Sequence, residues 1–362
     1  MARFIVLASL ASALAHATAG CTAESGCVGA DPAWVAKFST AAAGPEQFWL
    51  NLGATPDVMV VGWLTASTSA PSTVQFGTAS GVYTQMANGT AAQYKYGIYT
   101  SGLIHHVPLT GLAPSTVYFY KVAGAAAEYS FTSGAAVSAS SFPYKIGCFA
   151  DIGESLNADD TVVHMVAGAA EIDSYILTGD ISYASGCEKG GCGTWDAFQR
   201  MMQPLSAVKP VAIEIGNHEQ SDTFNGIVAI SARARFAGMP TGGRKDQTFY
   251  FSYEVGPVHV ISLAAFYPGG FAASSPLTQW LKADLLSIDR ERTPWVIVST
   301  HAPWFVPPHP ASARPFPTPA ASTLTRPPRA PQNQTGTTPT PRIRATARRC
   351  VPRSSRCSSR RA

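Results

Sequence analysis

Two patterns of apolar and polar positions divide the chain. From about residue 45 to 135, apolar runs of strand length recur at 58–64, 74–76, 102–108 and 117–122. Gly, Pro, Ser, Thr and Asn punctuate them at short, even spacing, which predicts an all-β sandwich over residues 40–135. Residues 133–141 (SGAAVSASS) are small and polar and read as a linker. From 142 the pattern changes. Apolar strand runs at 144–149, 174–178, 211–215, 258–263 and 295–299 now alternate with stretches of helical periodicity at 159–170, 195–205 and 278–287. That alternation predicts a layered α/β domain over 142–306, with functional residues on the loops at the strand ends. Beyond 306 apolar periodicity stops, and Pro, Thr, Ser and Arg dominate to residue 362.

Composition refines this picture. The 362 residues are 46% hydrophobic and 13% charged, enough apolar surface for two packed cores. The net charge of +4 is misleading, because positive charge is concentrated in the C-terminal stretch and the body before it is acidic to neutral. Charge therefore makes no case for a nucleic-acid partner. Residues 1–19 have the form of a secretion signal: Arg3, an apolar run over 4–14 too short to span a bilayer, and Ala17-Thr18-Ala19 as cleavage site. No other run reads as a membrane span, so the expected location is extracellular. Among seven cysteines, Cys21–Cys27 and Cys187–Cys192 are plausible short-loop disulfides. Cys148 lies in a predicted core strand and is expected as a buried thiol, while Cys350 and Cys357 fall in the tail. Asn88-Gly89-Thr90 is a glycosylation acceptor, consistent with secretion. His105 and His106 are metal-ligand types, but paired histidines in a sandwich strand with no acidic neighbour favour a structural role.

The chemistry lies at four strand ends. The run ending at Phe149 leads into Ala150-Asp151-Ile152-Gly153, and the run ending at Thr178 into Gly179-Asp180-Ile181-Ser182-Tyr183. The run ending at Ile215 leads into Gly216-Asn217-His218-Glu219, and the last into Thr300-His301-Ala302-Pro303-Trp304. Singly each is weak, since an aspartate after a strand also caps helices and a lone histidine also serves a core. In one order they offer carboxylates, an amide, a phenol and imidazoles, a mixed O/N set suited to hard and borderline metals. Two cations ~3.5–4 Å apart on such a set bind a phosphate, activate water at mild pH and stabilise in-line displacement.

The order Asp-x-Gly, Gly-Asp-x-x-Tyr, Gly-Asn-His-Glu, His-Ala-Pro-Trp resembles that of purple acid phosphatases, within the metallophosphoesterase superfamily. The tyrosine three residues after the second aspartate separates them from most other metallophosphoesterases. Tyr99-Thr100-Ser101-Gly102-Leu103-Ile104-His105-His106 also looks like the end of the family's N-terminal module. The resemblance covers roughly 45–305. It implies a fibronectin-III-like sandwich followed by an α/β metallophosphoesterase fold, a layered β-sandwich flanked by helices. By resemblance Asp151, Asp180 and Tyr183 match ligands of Fe(III), whose phenolate band gives the family its colour. Asp180 would bridge to a second, divalent metal (Fe, Zn or Mn), with Asn217 and His301 as further ligands of that ion. Asn217 and His218 would meet the substrate phosphate, and His218 would assist protonation of the leaving group. The implied activity is a secreted acid phosphatase hydrolysing phosphate monoesters, with a metal-bound hydroxide as nucleophile.

Two departures stand out. Ala150 replaces the family's usual glycine. More seriously, the family's later Gly-His-x-His motif, one histidine per metal, has no match, and the histidine beyond His301 is His309 in Pro307-Pro308-His309-Pro310. The metallophosphoesterase domain is therefore read as incomplete at its C-terminus. Residues 307–362 read as a low-complexity basic tail. Back-translated with G/C-rich codons, residues 342–362 can be read in a shifted frame as an amphipathic stretch like the family's segment before that motif, and the tail is therefore expected to be out of frame. The rival readings are a catalytically incomplete secreted binding protein and a phosphodiesterase or nucleotide pyrophosphatase on the same scaffold. Oligomeric state is not readable from the sequence.

Overall fold

Extended runs rich in β-branched and aromatic residues build seventeen strands among the described residues. The computed structural model describes residues 3–8, 32–66, 69–184, 193–239, 250–266 and 270–303. In chain order the strands are β1 Arg3–Ala8, β2 Glu46–Leu52, β3 Met59–Thr65, β4 Thr73–Gly77, β5 Gln85–Asn88, β6 Thr90–Ala92, β7 Lys95–Tyr96, β8 Tyr99–Thr100, β9 Leu103–Leu109, β10 Val117–Val122 and β11 Tyr129–Thr132. They continue with β12 Ile146–Phe149, β13 Ser174–Thr178, β14 Val211–Glu214, β15 Phe251–Val255, β16 Val258–Leu263 and β17 Trp295–Thr300. The α-helices are α1 Pro32–Phe38, α2 Leu156–Ala167, α3 Gly193–Ser206, α4 Asn217–Ser221, α5 Ile230–Arg235 and α6 Pro276–Ser287.

The N-terminal half is the expected sandwich, with sheets β2-β3-β9-β6 and β11-β10-β4-β5. Antiparallel pairing alternates the side chains, and the inward set includes Val61, Phe76, Val107, Tyr118, Tyr120 and Phe131. The structural role of His105 is borne out. Its ring stacks on Trp63 with centroids 4.7 Å apart and an interplanar angle of 3°. Its two nitrogens lie 2.9 Å from Thr65 Oγ1 and 2.9 Å from Ser72 Oγ. Burial, with His106 alongside, lowers its pKa to about 4.

The second half contains two sheets, β12-β13-β14 and β1-β17-β16-β15. The first is all parallel, and β17 runs parallel to β16, so β12, β13, β14 and β17 deliver their motifs from carboxyl ends. The segment read as a leader contributes β1, which lies parallel along β17 with Arg3 opposite Trp295 and Ala8 opposite Thr300. Helix α2 begins three residues before the predicted stretch, because the Ser155 side chain accepts from the Ala158 N–H and caps it. One expectation is overturned: Cys148 is exposed. Among the described residues β12 pairs only with β13, so this strand is an edge and its faces are partly open. Cys21, Cys27, Cys187, Cys192, Cys350 and Cys357 lie outside the described residues, as does the tail.

The sandwich is fastened to the second half mainly through α3 and β14. The Trp49 indole donates to Val211 O at 2.9 Å, the Tyr120 hydroxyl to Ala207 O at 2.8 Å, and the Ser206 hydroxyl to Phe48 O at 2.7 Å. Arg200 pairs with Glu46 at 2.7 Å. Strand β2 is thus buried along its whole length.

Candidate metal centre

The loops that carry the motifs are wound tightly. Asp151, Asp180 and Tyr183 all have left-handed backbones, at φ 55°, 48° and 52°. Each costs on the order of 1–3 kcal/mol for a non-glycine residue, and such outliers gather where a site over-determines the chain. Cross-loop hydrogen bonds hold them. The Asp151 N–H donates to Gly179 O at 3.2 Å, and the Gly153 N–H to Ile181 O at 3.1 Å. The buried Glu219 carboxylate accepts from the Ile181 N–H at 2.8 Å and the Gly216 N–H at 2.9 Å, tying the second loop to the third. A Cβ on Gly216 would lie 2.1 Å from Asp180 Oδ1, and one on Gly179 2.6 Å from His301 Cγ. Only glycine admits this approach.

Asp151, Asp180 and His301 each bring one ligand atom into a group lying within 4.8 Å of one another. Asp180 and His301 are buried and Asp151 is exposed. The His301 ring sits with Nδ1 2.8 Å from Thr178 O. A carbonyl only accepts, so Nδ1 carries the proton and Nε2 is the atom turned toward the site. Nε2 lies 3.3 Å from Asp180 Oδ1 and 3.3 Å from Asn217 Oδ1. The Tyr183 hydroxyl donates to Asp151 Oδ1 at 2.9 Å. The half-exposed His218 ring lies against Tyr183, centroids 4.3 Å apart and planes tilted by 47°, with Nε2 3.8 Å from Asp180 Oδ2. Its own N–H donates to Asp180 Oδ1 at 3.0 Å. All six residues named from the sequence therefore converge, while Trp304 and His309 lie outside the described residues.

The electrostatics match a cation site. Burial disfavours the His301 imidazolium, but the Asp180 carboxylate outweighs it and raises the pKa to about 9. Burial likewise opposes the Asp180 carboxylate, yet hydrogen bonds from His301 and from the His218 N–H bring its pKa below the usual value. Burial, then the Asp180 and Asp151 carboxylates, hold the Tyr183 phenol far above its ordinary value. With no cation present, a proton on His301 Nε2 offsets the surrounding oxygens. A hard cation placed there would satisfy the same oxygens, lower the Tyr183 pKa and replace that proton. The donor set of two carboxylates, an amide, a phenol and an imidazole fits such an ion.

Sequence reading missed the buried polar residues beneath the site. Glu214 is fully buried on β14, and burial pushes its pKa up to about 8. Its signal was visible as the one charge in an otherwise apolar run, 211–215. Glu219 was part of a quoted motif but had no role of its own.

Comparison with known proteins agrees with this geometry. Residues 45–133 match the family model for the purple acid phosphatase N-terminal domain, and residues 144–328, about half the chain, match that for calcineurin-like phosphoesterases. Among curated proteins, probable purple acid phosphatase 20 of Arabidopsis thaliana is 37% identical over 268 residues, 72% of this chain and 59% of that one. Purple acid phosphatase 22 of the same plant is 33% identical over 72% of this chain and 58% of its own length. The phosphoenolpyruvate phosphatase of Allium cepa is 30% identical over 68% of this chain and 51% of its own length. The chain thus spans somewhat over half the length of these relatives. A solved purple acid phosphatase from yellow lupin seeds shares the fold, with a TM-score of 0.62 at 20% identity, over 73% of this chain and 52% of that one.

Proposed function

Because the chain belongs to the calcineurin-like phosphoesterases and is of the purple acid phosphatase type, we propose that it hydrolyses phosphate monoesters at acid pH on a pair of bound cations. The observation that carries this reading is the convergence of Asp151, Asp180, Tyr183, Asn217 and His301 from four strand ends on one point. Asp151, Asp180 and Tyr183 would hold Fe(III), and Asp180, Asn217 and His301 a divalent Fe, Zn or Mn ion. When bound, such a pair supplies Lewis acidity toward a phosphoryl oxygen and activates water. The protein's own part is to place the ester. The exposed Asn217 and half-exposed His218 stand at the open side of the cluster, where an amide and an imidazole meet phosphate oxygens. His218 protonates the leaving group.

Metal content and hydrolysis of a synthetic aryl phosphate, after loading with Fe(III) and then Zn(II), Fe(II) or Mn(II), test this reading. Two metals per chain, a visible phenolate-to-iron band and preference for the monoester over the diester are expected. A diester preference would favour the phosphodiesterase reading. The unmatched Gly-His-x-His motif favours a second reading, a catalytically incomplete secreted protein. One metal or none, with no turnover, would support it. Sequencing the transcript past the His301 codon separates the two, since a shifted frame that supplies the motif restores the phosphatase.

Secretion belongs to the same reading. Cleavage after Ala19 would remove β1, free the edge of β17 and leave Gly20 as the mature N-terminus, which N-terminal sequencing checks. Asn88 is exposed at the end of β5, accessible to glycosylation. Among the described residues no helix is long and apolar enough to cross a membrane.

A further inference from the structure

Directly beneath the candidate metal centre lies a closed ring of hydrogen bonds that no ligand role explains. Glu214 closes β14, two residues before Gly216, and its side chain is completely buried. One carboxyl oxygen, Oε1, accepts from the His301 N–H at 2.7 Å, and the other, Oε2, from the Ser299 hydroxyl at 2.8 Å. Ser299 Oγ is 3.1 Å from Thr178 Oγ1, and Thr178 O is the partner of His301 Nδ1 at 2.8 Å. The ring therefore runs Thr178, His301, Glu214, Ser299 and back, through β13, β14 and β17. Those strands belong to two different sheets with no ladder between them.

The position is expensive. The other residues of β14 are apolar and buried, and a carboxyl group there forfeits its hydration. A leucine would fill the same space with no such loss. What a leucine would lack is the pair of acceptors that locks the backbone of His301 on one side while Thr178 locks its ring on the other. Fixing both ends of a histidine decides where Nε2 points, and here it points between Asp180 and Asn217.

We infer that Glu214 is a positioning residue: it sets the His301 imidazole for cation binding by clamping the His301 N–H and Ser299 across the two sheets. The inference rests on the metal-site reading above, and the test separates the two. Glu214→Leu, Glu214→Gln and Ser299→Ala would be compared with wild type. Zn(II) and Mn(II) affinities would be measured by equilibrium dialysis, and solvent exchange of the His301 Nδ1–H by NMR on metal-free protein. Glutamine still presents an oxygen to the His301 N–H, and its amide can donate to Ser299. Supporting partners of metal ligands are worth roughly 10–100-fold in affinity, so Glu214→Leu should weaken binding by about that factor. Glu214→Gln should stay within about threefold of wild type, and Ser299→Ala should fall between. In wild type the His301 Nδ1–H, held by Thr178 O, should exchange slowly with solvent, and in Glu214→Leu fast. Wild-type affinity and slow exchange in both Glu214→Leu and Ser299→Ala would overturn the inference while leaving the metal site standing. A wild type that binds neither metal, yet loses its slow exchange in Glu214→Leu, would sink the metal reading and keep the positioning role. Should Glu214→Leu fail to fold, Ser299→Ala carries the same comparison.

Discussion

Two buried polar clusters in this protein look alike on paper and differ in balance. At the junction of the sandwich with α3 and α5, the fully buried guanidinium of Arg235 is surrounded by acceptors. Nη1 lies 2.5 Å from Gln199 Oε1 and 3.0 Å from Gln47 Oε1, Nη2 2.7 Å from both the Tyr99 hydroxyl and Asp196 Oδ1, and Nε 3.2 Å from the Tyr94 hydroxyl. A guanidinium has five N–H donors, and here five acceptors answer them. The Tyr94 and Trp195 rings flank it at 5.6 and 5.9 Å. At the candidate metal centre the count is reversed. Oxygens of Asp151, Asp180 and Asn217 crowd one imidazole, with the Tyr183 hydroxyl on Asp151, on loops whose backbones are strained. A balanced buried cluster holds a fold together; one with surplus acceptors is built for something that is not part of the chain.

Mutating the balanced cluster should produce the largest effect on stability. Arg235→Ala strands Asp196 and four neutral partners at the domain junction. Breaking a buried pair in this way costs about 3–5 kcal/mol. Chemical denaturation should show that loss with metal absent. A change under about 1 kcal/mol would mean that the junction is held by packing alone.

The metal cluster should respond less to the same kind of change. Asp180→Asn removes the carboxylate paired with His301, but His301 can shed its proton in answer, so metal-free stability should fall by less than for Arg235→Ala, at most about 2 kcal/mol. Metal retention and monoester hydrolysis should fall at least ~100-fold, because a bound cation is worth several kcal/mol to the transition state. If Asp180→Asn unfolds the metal-free protein, the contrast between the two clusters fails.

Which parts of this were legible beforehand follows from the physics of each signal. Strands β10 and β13 fall on the predicted 117–122 and 174–178 because their apolar runs are bounded by turn residues on both sides. The six site residues were legible because each follows an apolar run within a few positions. Strand β15 was missed: its burial alternates and its two half-buried positions are Ser252 and Glu254, so no apolar run announces it. Cys148 was misplaced because an apolar run does not say whether its strand is central or an edge. Arg235 was invisible for a related reason. Its partners come from residues 36 to 188 positions away, so nothing local distinguishes it from a surface arginine.

A smaller effect sharpens the comparison through pH. Glu154 follows Asp151 in the first loop and is 7% exposed, with Oε1 lacking a partner among the described residues. Burial raises its pKa to about 7 despite a hydrogen bond with Thr194. The folded protein therefore holds this proton more tightly than the unfolded chain, whose carboxyl titrates near 4.5. Stability from this group is full below about 4.5 and lost as pH rises through about 7. Glu154→Gln should match wild type at pH 4.5 and exceed it by about 2 kcal/mol at pH 8. Melting curves across that range check it, and parallel curves would show that Glu154 is solvated after all.

His105 should give the smallest effect and the opposite pH slope. It belongs to the balanced kind of cluster, with both ring nitrogens in hydrogen bonds and its face on Trp63. His105→Phe keeps the stacking and loses the two hydrogen bonds, at a cost of about 1 kcal/mol at pH 7.5. Its folded pKa of about 4 lies below the unfolded value of 6.5, so between those values the unfolded chain binds more protons. Wild-type stability from this group is present above 6.5 and falls as pH drops toward 4, whereas the phenylalanine variant has no such loss. The deficit of His105→Phe should therefore shrink on acidification, just where Glu154 makes its full contribution. A deficit that instead grows at pH 5 would show that His105 is charged in the fold, and that this cluster too is waiting for a partner.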